Sequence, residues 1–149
     1  MQALILAAGM GRRLGKYTRE NTKCMVTVGG RTLLEHTVDS LKEAGVHRLI
    51  MVVGYKGENV KAFVRDHITD MDVTFIDNPD YATSNNIYSL FLARDWLLKD
   101  DTLLIESDLI FDRTLLRRLV TDDCENLAVV AKYQHWMDGT VALVNEEGE

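Results

Sequence analysis

Ala3-Leu4-Ile5-Leu6-Ala7-Ala8-Gly9-Met10-Gly11-Arg12-Arg13-Leu14-Gly15 is the stretch that decides the fold. Its first half is a continuous apolar run, without the polar alternation of a half-exposed strand, and so reads as a strand buried on both faces. Its second half breaks abruptly into glycine and arginine, the composition of a tight loop that lets a backbone approach an anion. A buried strand ending in a glycine loop belongs to parallel α/β sheets, whose ligands sit beyond the carboxyl ends of the strands.

Working outward, the same alternation recurs. Leu49-Ile50-Met51-Val52-Val53 is a second continuous apolar run, and 72–77 and 102–106 are shorter ones. Between them Leu34, Val38 and Leu41 follow helical spacing, as do Val60 to Val64 and then Ile87, Leu90 and Phe91. Residues 126–131 suggest a fifth strand and 140–145 a sixth. Strand–helix–strand order of this kind predicts an α/β, Rossmann-like, doubly wound and mostly parallel sheet. Residues 1–149 read as one domain. The apolar strand at 140–145 runs into an acidic turn with no return strand, so the domain is expected to be cut short at its C-terminal end, and either to pair with a second copy as a homodimer or to be part of a longer polypeptide.

Composition narrows the function. No stretch approaches the roughly 20 apolar residues of a membrane span, and a net charge of −6 argues against a general nucleic-acid binder. Cys24 and Cys124 lie far apart without metal-ligand spacing, which favours a reducing, cytoplasmic setting. The charge is uneven. Residues 12–31 hold Arg12, Arg13, Lys16, Arg19, Lys23 and Arg31 against Glu20 alone, a local +5 in an acidic chain. A basic island beside a glycine loop suits a compact anionic ligand. The loop is not a Walker A motif, since three residues rather than four separate Gly11 from Gly15 and Tyr17 follows Lys16. Nor is it a dinucleotide fingerprint, for Leu14 stands where the third glycine belongs.

The longer pattern, Leu4 to Leu14, then Lys23, then Gly29-Gly30-Arg31-Thr32-Leu33-Leu34-Glu35 and Val52-Val53-Gly54-Tyr55, resembles the nucleotidyltransferase superfamily that activates sugar phosphates and phospho-amino-alcohols. The resemblance implies that Leu6, Ala7, Ala8, Gly9, Gly11, Arg12 and Arg13 bind a nucleoside triphosphate. It also implies catalytic roles for Arg13 and Lys23. The family's usual proline before this lysine is replaced by Thr22, which loosens the loop. Asn78 to Leu90 is similar to the family's base-and-acceptor segment. Its Asn-Asn-x-Tyr-Ser-Leu form resembles the cytidylyltransferases acting on phosphocholine or 2-aminoethylphosphonate. Ser84, Asn85 and Asn86 are then expected on the nucleotide, and Tyr88 and Ser89 on the acceptor. Ser84 or Asn85 also suits a helix N-cap.

Glu106-Ser107-Asp108 resembles the family's metal-binding turn, which implies Mg²⁺ on Asp108 together with substrate phosphates. Trp136 and Asp138 are acceptor-binding candidates, by cation–π attraction and ion pairing, and Asp138 tilts the reading toward a primary amine. The expected reaction moves CMP from CTP to a small phosphorylated or phosphonate acceptor. The competing expectations are a sugar-1-phosphate nucleotidyltransferase and a non-catalytic nucleotide-binding domain of the same fold.

Overall fold

A computed structural model describes residues 1–137, 141–143 and 145. Four strands, β1 (Gln2–Ala7), β4 (Arg48–Val53), β5 (Asp72–Asp77) and β6 (Thr102–Glu106), form one sheet. Every pairing in it is parallel, in the order β5-β4-β1-β6. Two short strands, β2 (Thr27–Val28) and β3 (Arg31–Thr32), make a separate antiparallel hairpin. Gly29 and Gly30 turn this hairpin with φ of 60° and 82°, the left-handed pair that a two-residue turn requires.

All six residues of β1 are buried, because β4 and β6 cover its two edges and helices cover its two faces. Ala3, Ile5 and Ala7 point to a core built with Leu34, Val38 and Leu41 of α1 (Leu33–Glu43), Val60 and Val64 of α2 (Gly57–His67), and Leu116 of α5 (Arg113–Val120). Leu4 and Leu6 point the other way, with Ile50 and Val52. They meet Leu90 of α3 (Asn86–Leu92), Ala93, and Trp96 of α4 (Arg94–Leu97). The sheet is therefore doubly wound, as the apolar runs implied. From β1 the chain moves to β4 and β5 on one side and returns to β6 on the other. Strand order thus reverses between β1 and β6, and a crevice opens at their carboxyl ends.

Local chemistry fixes where the helices start. Thr32 caps α1 with a complete capping box: its hydroxyl accepts from Glu35 N–H at 3.1 Å, and its own N–H donates to the Glu35 carboxylate at 2.7 Å. Asn85 caps α3, accepting from the Tyr88 N–H at 3.2 Å, and Asp112 caps α5 by accepting from Thr114 N–H at 2.8 Å.

Three sequence expectations need correction. Residues 126–131 form no strand and are exposed throughout; among the described residues no strand lies beside them to pair with, and β propensity without a partner does not make a strand. Residues 141–143 and 145 likewise carry no strand, while 138–140, 144 and 146–149 lie outside the described residues. The α3 helix forms where its spacing put it, but Ile87 is 75% exposed and Phe91 is exposed as well, so only Leu90 of that apolar set faces the core. Among the described residues no helix is long and apolar enough to cross a membrane. Cys24 is buried and Cys124 exposed, and both are free thiols.

Candidate nucleotide-transfer site

The crevice at the switch point is lined from four directions: the glycine loop after β1, the stretch leading to Lys23, the segment from Asn78 to α3, and the turn after β6. Leu6, Ala7 and Ala8 deliver the glycine loop, and their side chains are spent in the two cores. The Ala8 carbonyl accepts from Tyr55 N–H at 3.0 Å, which ties the loop's root to the end of β4. Gly54 has to be a glycine there, since a Cβ would lie 2.6 Å from the Tyr81 side chain and 3.0 Å from that same carbonyl.

The two glycines most central to the loop are differently placed. Gly11 has φ +62°, and a Cβ on it would come within 2.9 Å of both the Lys23 stem and Thr18. Thr18 closes the turn by donating its hydroxyl to the Gly11 carbonyl at 2.8 Å. Gly11 therefore lets the lysine pass. A Cβ on Gly9 would meet nothing within 4 Å, so no protein neighbour requires a glycine at this position. Beyond them Arg12 to Tyr17 coil into tight 3₁₀ turns with no buried residue, which holds Arg12 and Arg13 at the surface. The far side of this basic loop is pinned to the sheet layer. Tyr55 donates its hydroxyl to the Arg19 carbonyl at 2.8 Å, and Asn59 donates to the Glu20 carbonyl at 3.1 Å.

Lys23 and Asp108, 85 residues apart in sequence, meet at 2.7 Å between Nζ and Oδ2. The expected phosphate lysine and the expected metal carboxylate thus occupy one point beyond the carboxyl ends of β1 and β6. Both are partly exposed, so solvent and a ligand reach them. Neighbouring Cys24 is different in kind: burial pushes its thiol up to about 11, and it sits in the core as an uncharged packing group.

A divalent cation such as Mg²⁺ takes one or two carboxylates and completes its shell with phosphate and water. Among the described residues no group of three or more His, Cys, Asp or Glu is arranged to hold a metal. Asp108 offers one carboxylate oxygen beside its bond to Lys23. That donor set fits a cation shared with a substrate phosphate, and does not fit one caged by protein alone.

The segment from Asn78 to α3 is organised by a residue that sequence reasoning passed over. Asn78 is 2% exposed. Its Nδ2 donates to both Ser84 Oγ and Ser89 Oγ at 3.0 Å, while its Oδ1 accepts from Asp80 N–H at 2.9 Å. Ser89 is buried, and its hydroxyl supports the loop from beneath. Asn85 spends its side-chain oxygen on the helix cap, and Asn86 opens the helix with an exposed side chain. Tyr88 is half-buried and donates to the Asp80 carboxylate at 3.3 Å. An asparagine directly after a strand and directly before Pro79 was the available signal for Asn78, since such a residue is placed to hydrogen-bond the turn it begins.

Of the expected head-group pair, only Trp136 lies among the described residues. Trp136 is 71% exposed in a surface turn, with no ring or cation partner among the described residues, and Asp138 lies outside them. Of the histidines, His36 bonds the Val28 carbonyl and His67 that of Phe63, both local bonds.

The candidate site is thus a doubly wound sheet with a glycine loop and a lysine–aspartate pair at its switch point. Residues 3–144 match the MobA-like NTP transferase domain, and the chain belongs to that family. It is 32% identical over 148 residues to the CMP-5'-(3-aminopropyl)phosphonate synthase of Streptomyces rubellomurinus, covering 99% of this chain and 23% of that protein. It is 33% identical over 108 residues to the 2-aminoethylphosphonate cytidylyltransferase of Lancefieldella rimae, covering 72% of this chain and 43% of that protein. The solved CTP:phosphocholine cytidylyltransferase of Streptococcus pneumoniae superposes with a TM-score of 0.64 at 34% identity, over 72% of this chain and 44% of that one. In each case the chain spans less than half the length of its relative.

Proposed function

We propose that this chain carries the nucleotide-binding and transfer site of a cytidylyltransferase. In this reading CMP moves from CTP to a small phosphorylated or phosphonate acceptor and pyrophosphate is released. The observation that carries the reading is the meeting of Lys23 and Asp108 at 2.7 Å beside the glycine loop. A pair of that kind puts a cationic donor and a carboxylate where an α-phosphate would lie. The choice of CTP is supported by the cytidylyltransferase relatives, and by the Asn85-Asn86-Ile87-Tyr88-Ser89 segment that borders the same crevice.

The reaction needs no general base, because the acceptor oxygen is already anionic. That oxygen forms a bond to the α-phosphorus as the bond from phosphorus to the pyrophosphate oxygen breaks in line with it. Backbone N–H groups of the glycine loop and the guanidinium of Arg13 hold the β- and γ-phosphates and stabilise the departing charge. Lys23 leaves Asp108 for an α-phosphate oxygen, where negative charge grows in the transition state. When bound, Mg²⁺ would neutralise charge at the α-phosphate, with Asp108 as the residue that holds it. Asn78 keeps the acceptor side of the crevice in register with the phosphate side, which is the positioning that such a reaction depends on.

Pyrophosphate release measured for CTP, UTP, ATP and GTP against phosphocholine, 2-aminoethylphosphonate and glucose 1-phosphate tests the proposal. Turnover is expected with CTP and an amino-alkyl acceptor. Turnover confined to another nucleotide and the sugar phosphate would move the chain to the sugar-activating branch, and nucleotide binding without turnover for any pair would leave only a binding domain.

A further inference from the structure

Glu106 closes β6 two residues before Asp108, and the proposed chemistry makes no use of it. The neighbouring carboxylate, Asp108, is neutralised by Lys23. The Glu106 side chain has no hydrogen bond or ion pair among the described residues and is exposed. Strand alternation sets its direction. Leu103 and Ile105 pack into the core formed with α1 and α5, so Leu104 and Glu106 face the opposite layer, the one that carries α3. Its neighbour across the sheet is Leu6, which leads directly into the glycine loop. Leu104, on the same face, is 51% exposed, so neither α3 nor α4 closes over this side of β6 and the carboxylate is open to a ligand.

Glu106 ends β6 and Asp108 stands two residues further on, both beside the strand that leads into the glycine loop. Asp108 turns to Lys23 and the phosphates. Glu106 faces the layer of the sheet that carries α3. A site that gathers a triphosphate and a phosphonate is crowded with negative charge, and an additional unpaired carboxylate raises that repulsion unless a cation arrives with the substrate. Resting on the cytidylyltransferase reading, we infer that Glu106 is a specificity-determining residue that receives the ammonium of the acceptor. The acceptor class is then an alkylammonium phosphonate or phosphate. Glu106 meets its cationic end, while Lys23 and the cation-holding Asp108 serve the phosphorus end.

Two acceptors of nearly equal shape separate this role from others: 2-aminoethylphosphonate and propylphosphonate, which replaces the ammonium with a methyl group. Calorimetric binding of each, in the presence of CTP, is compared between the wild-type chain and Glu106→Gln. The wild type is expected to bind the ammonium compound at least about tenfold more tightly, the scale of one charge-assisted hydrogen bond, and Glu106→Gln to abolish most of that preference. Where turnover occurs, the kcat/KM ratio for the two acceptors should collapse in the same way, with the KM for CTP changed less. A preference that survives Glu106→Gln overturns the inference. So does an equal loss for both acceptors accompanied by a raised Mg²⁺ requirement, which would make Glu106 a metal ligand, and so does a wild type that binds the two alike. Failure of the cytidylyltransferase reading shows differently, as discrimination in binding with no pyrophosphate released from CTP.

Discussion

At the scale of single residues the site rests on one contact, and the two partners are separable by experiment. Asp108 is partly exposed and among the described residues pairs only with Lys23, so Asp108→Asn removes a charge without opening a cavity. An exposed ion pair contributes about 0–1 kcal/mol, and the melting midpoint should hardly move. Transfer activity should nevertheless fall to near background at saturating Mg²⁺; turnover within a fewfold of wild type would remove Asp108 from the proposed metal role. Lys23→Ala should instead lower kcat by ~10²-fold, on the scale of losing one oxyanion donor, while the KM for CTP changes less because Arg13 and the loop amides remain. Steady-state kinetics giving a raised KM at unchanged kcat would make Lys23 a ground-state binding group. Both residues were named at the sequence level through the family resemblance, Lys23 by its place after the glycine loop and Asp108 by its place after a strand. Asn78 was not. Its two serine bonds span 6 and 11 residues and exist only once α3 has folded back over the loop.

At the scale of elements, legibility followed burial. The four sheet strands and the helices between them were readable because continuous apolar runs and 3.6-residue spacing are direct imprints of two-sided and one-sided burial. Residues 126–131 carry the same kind of run yet form no strand, since the decisive quantity, a neighbour with which to pair, is not local. The same limit applies to α3, where spacing placed a helix but could not tell which apolar residues would be covered. The start of α1 is a case in which local chemistry suffices. Thr32→Ala deletes the capping hydroxyl while leaving the Glu35 carboxylate bonded to the backbone, so a loss of about 1 kcal/mol is expected in urea unfolding at pH 7. A loss below a few tenths would mean that tertiary packing alone sets this helix start. The backbone N–H of Thr32 holds the Glu35 carboxyl below its ordinary value. A carboxyl depressed in the folded state stabilises the fold above its unfolded value and loses that contribution as pH falls through the folded one. The glutamate half of the box should therefore fade only in acid, and Glu35→Gln should flatten that part of the stability–pH curve.

At the scale of the whole molecule the governing feature is charge polarity. The chain carries −6 in total, yet residues 12–31 carry a local +5. Folding sharpens this contrast. Arg31 is drawn into a pair with Asp39 and Lys23 into one with Asp108, whereas Arg12, Arg13, Lys16 and Arg19 have no acidic partner among the described residues. Four unneutralised cations are thus held on one exposed loop, anchored at its base by Tyr55 and Asn59, while acidic residues dominate the remaining sequence. Such a field attracts a compact polyanion and repels an extended one, whose length would run onto the acidic surface. It also makes binding depend on salt, since screening shortens from about 10 Å at 0.1 M to about 3 Å at 1 M. CTP affinity measured by calorimetry is therefore expected to fall by about tenfold or more across that range. Replacing Arg12 and Arg13 together with alanine should weaken binding at low salt and flatten the salt dependence, because the screened term is then smaller. Affinity that stays constant between the two salt concentrations would show that the loop amides alone hold the triphosphate, and that the basic loop faces solvent without a part in binding.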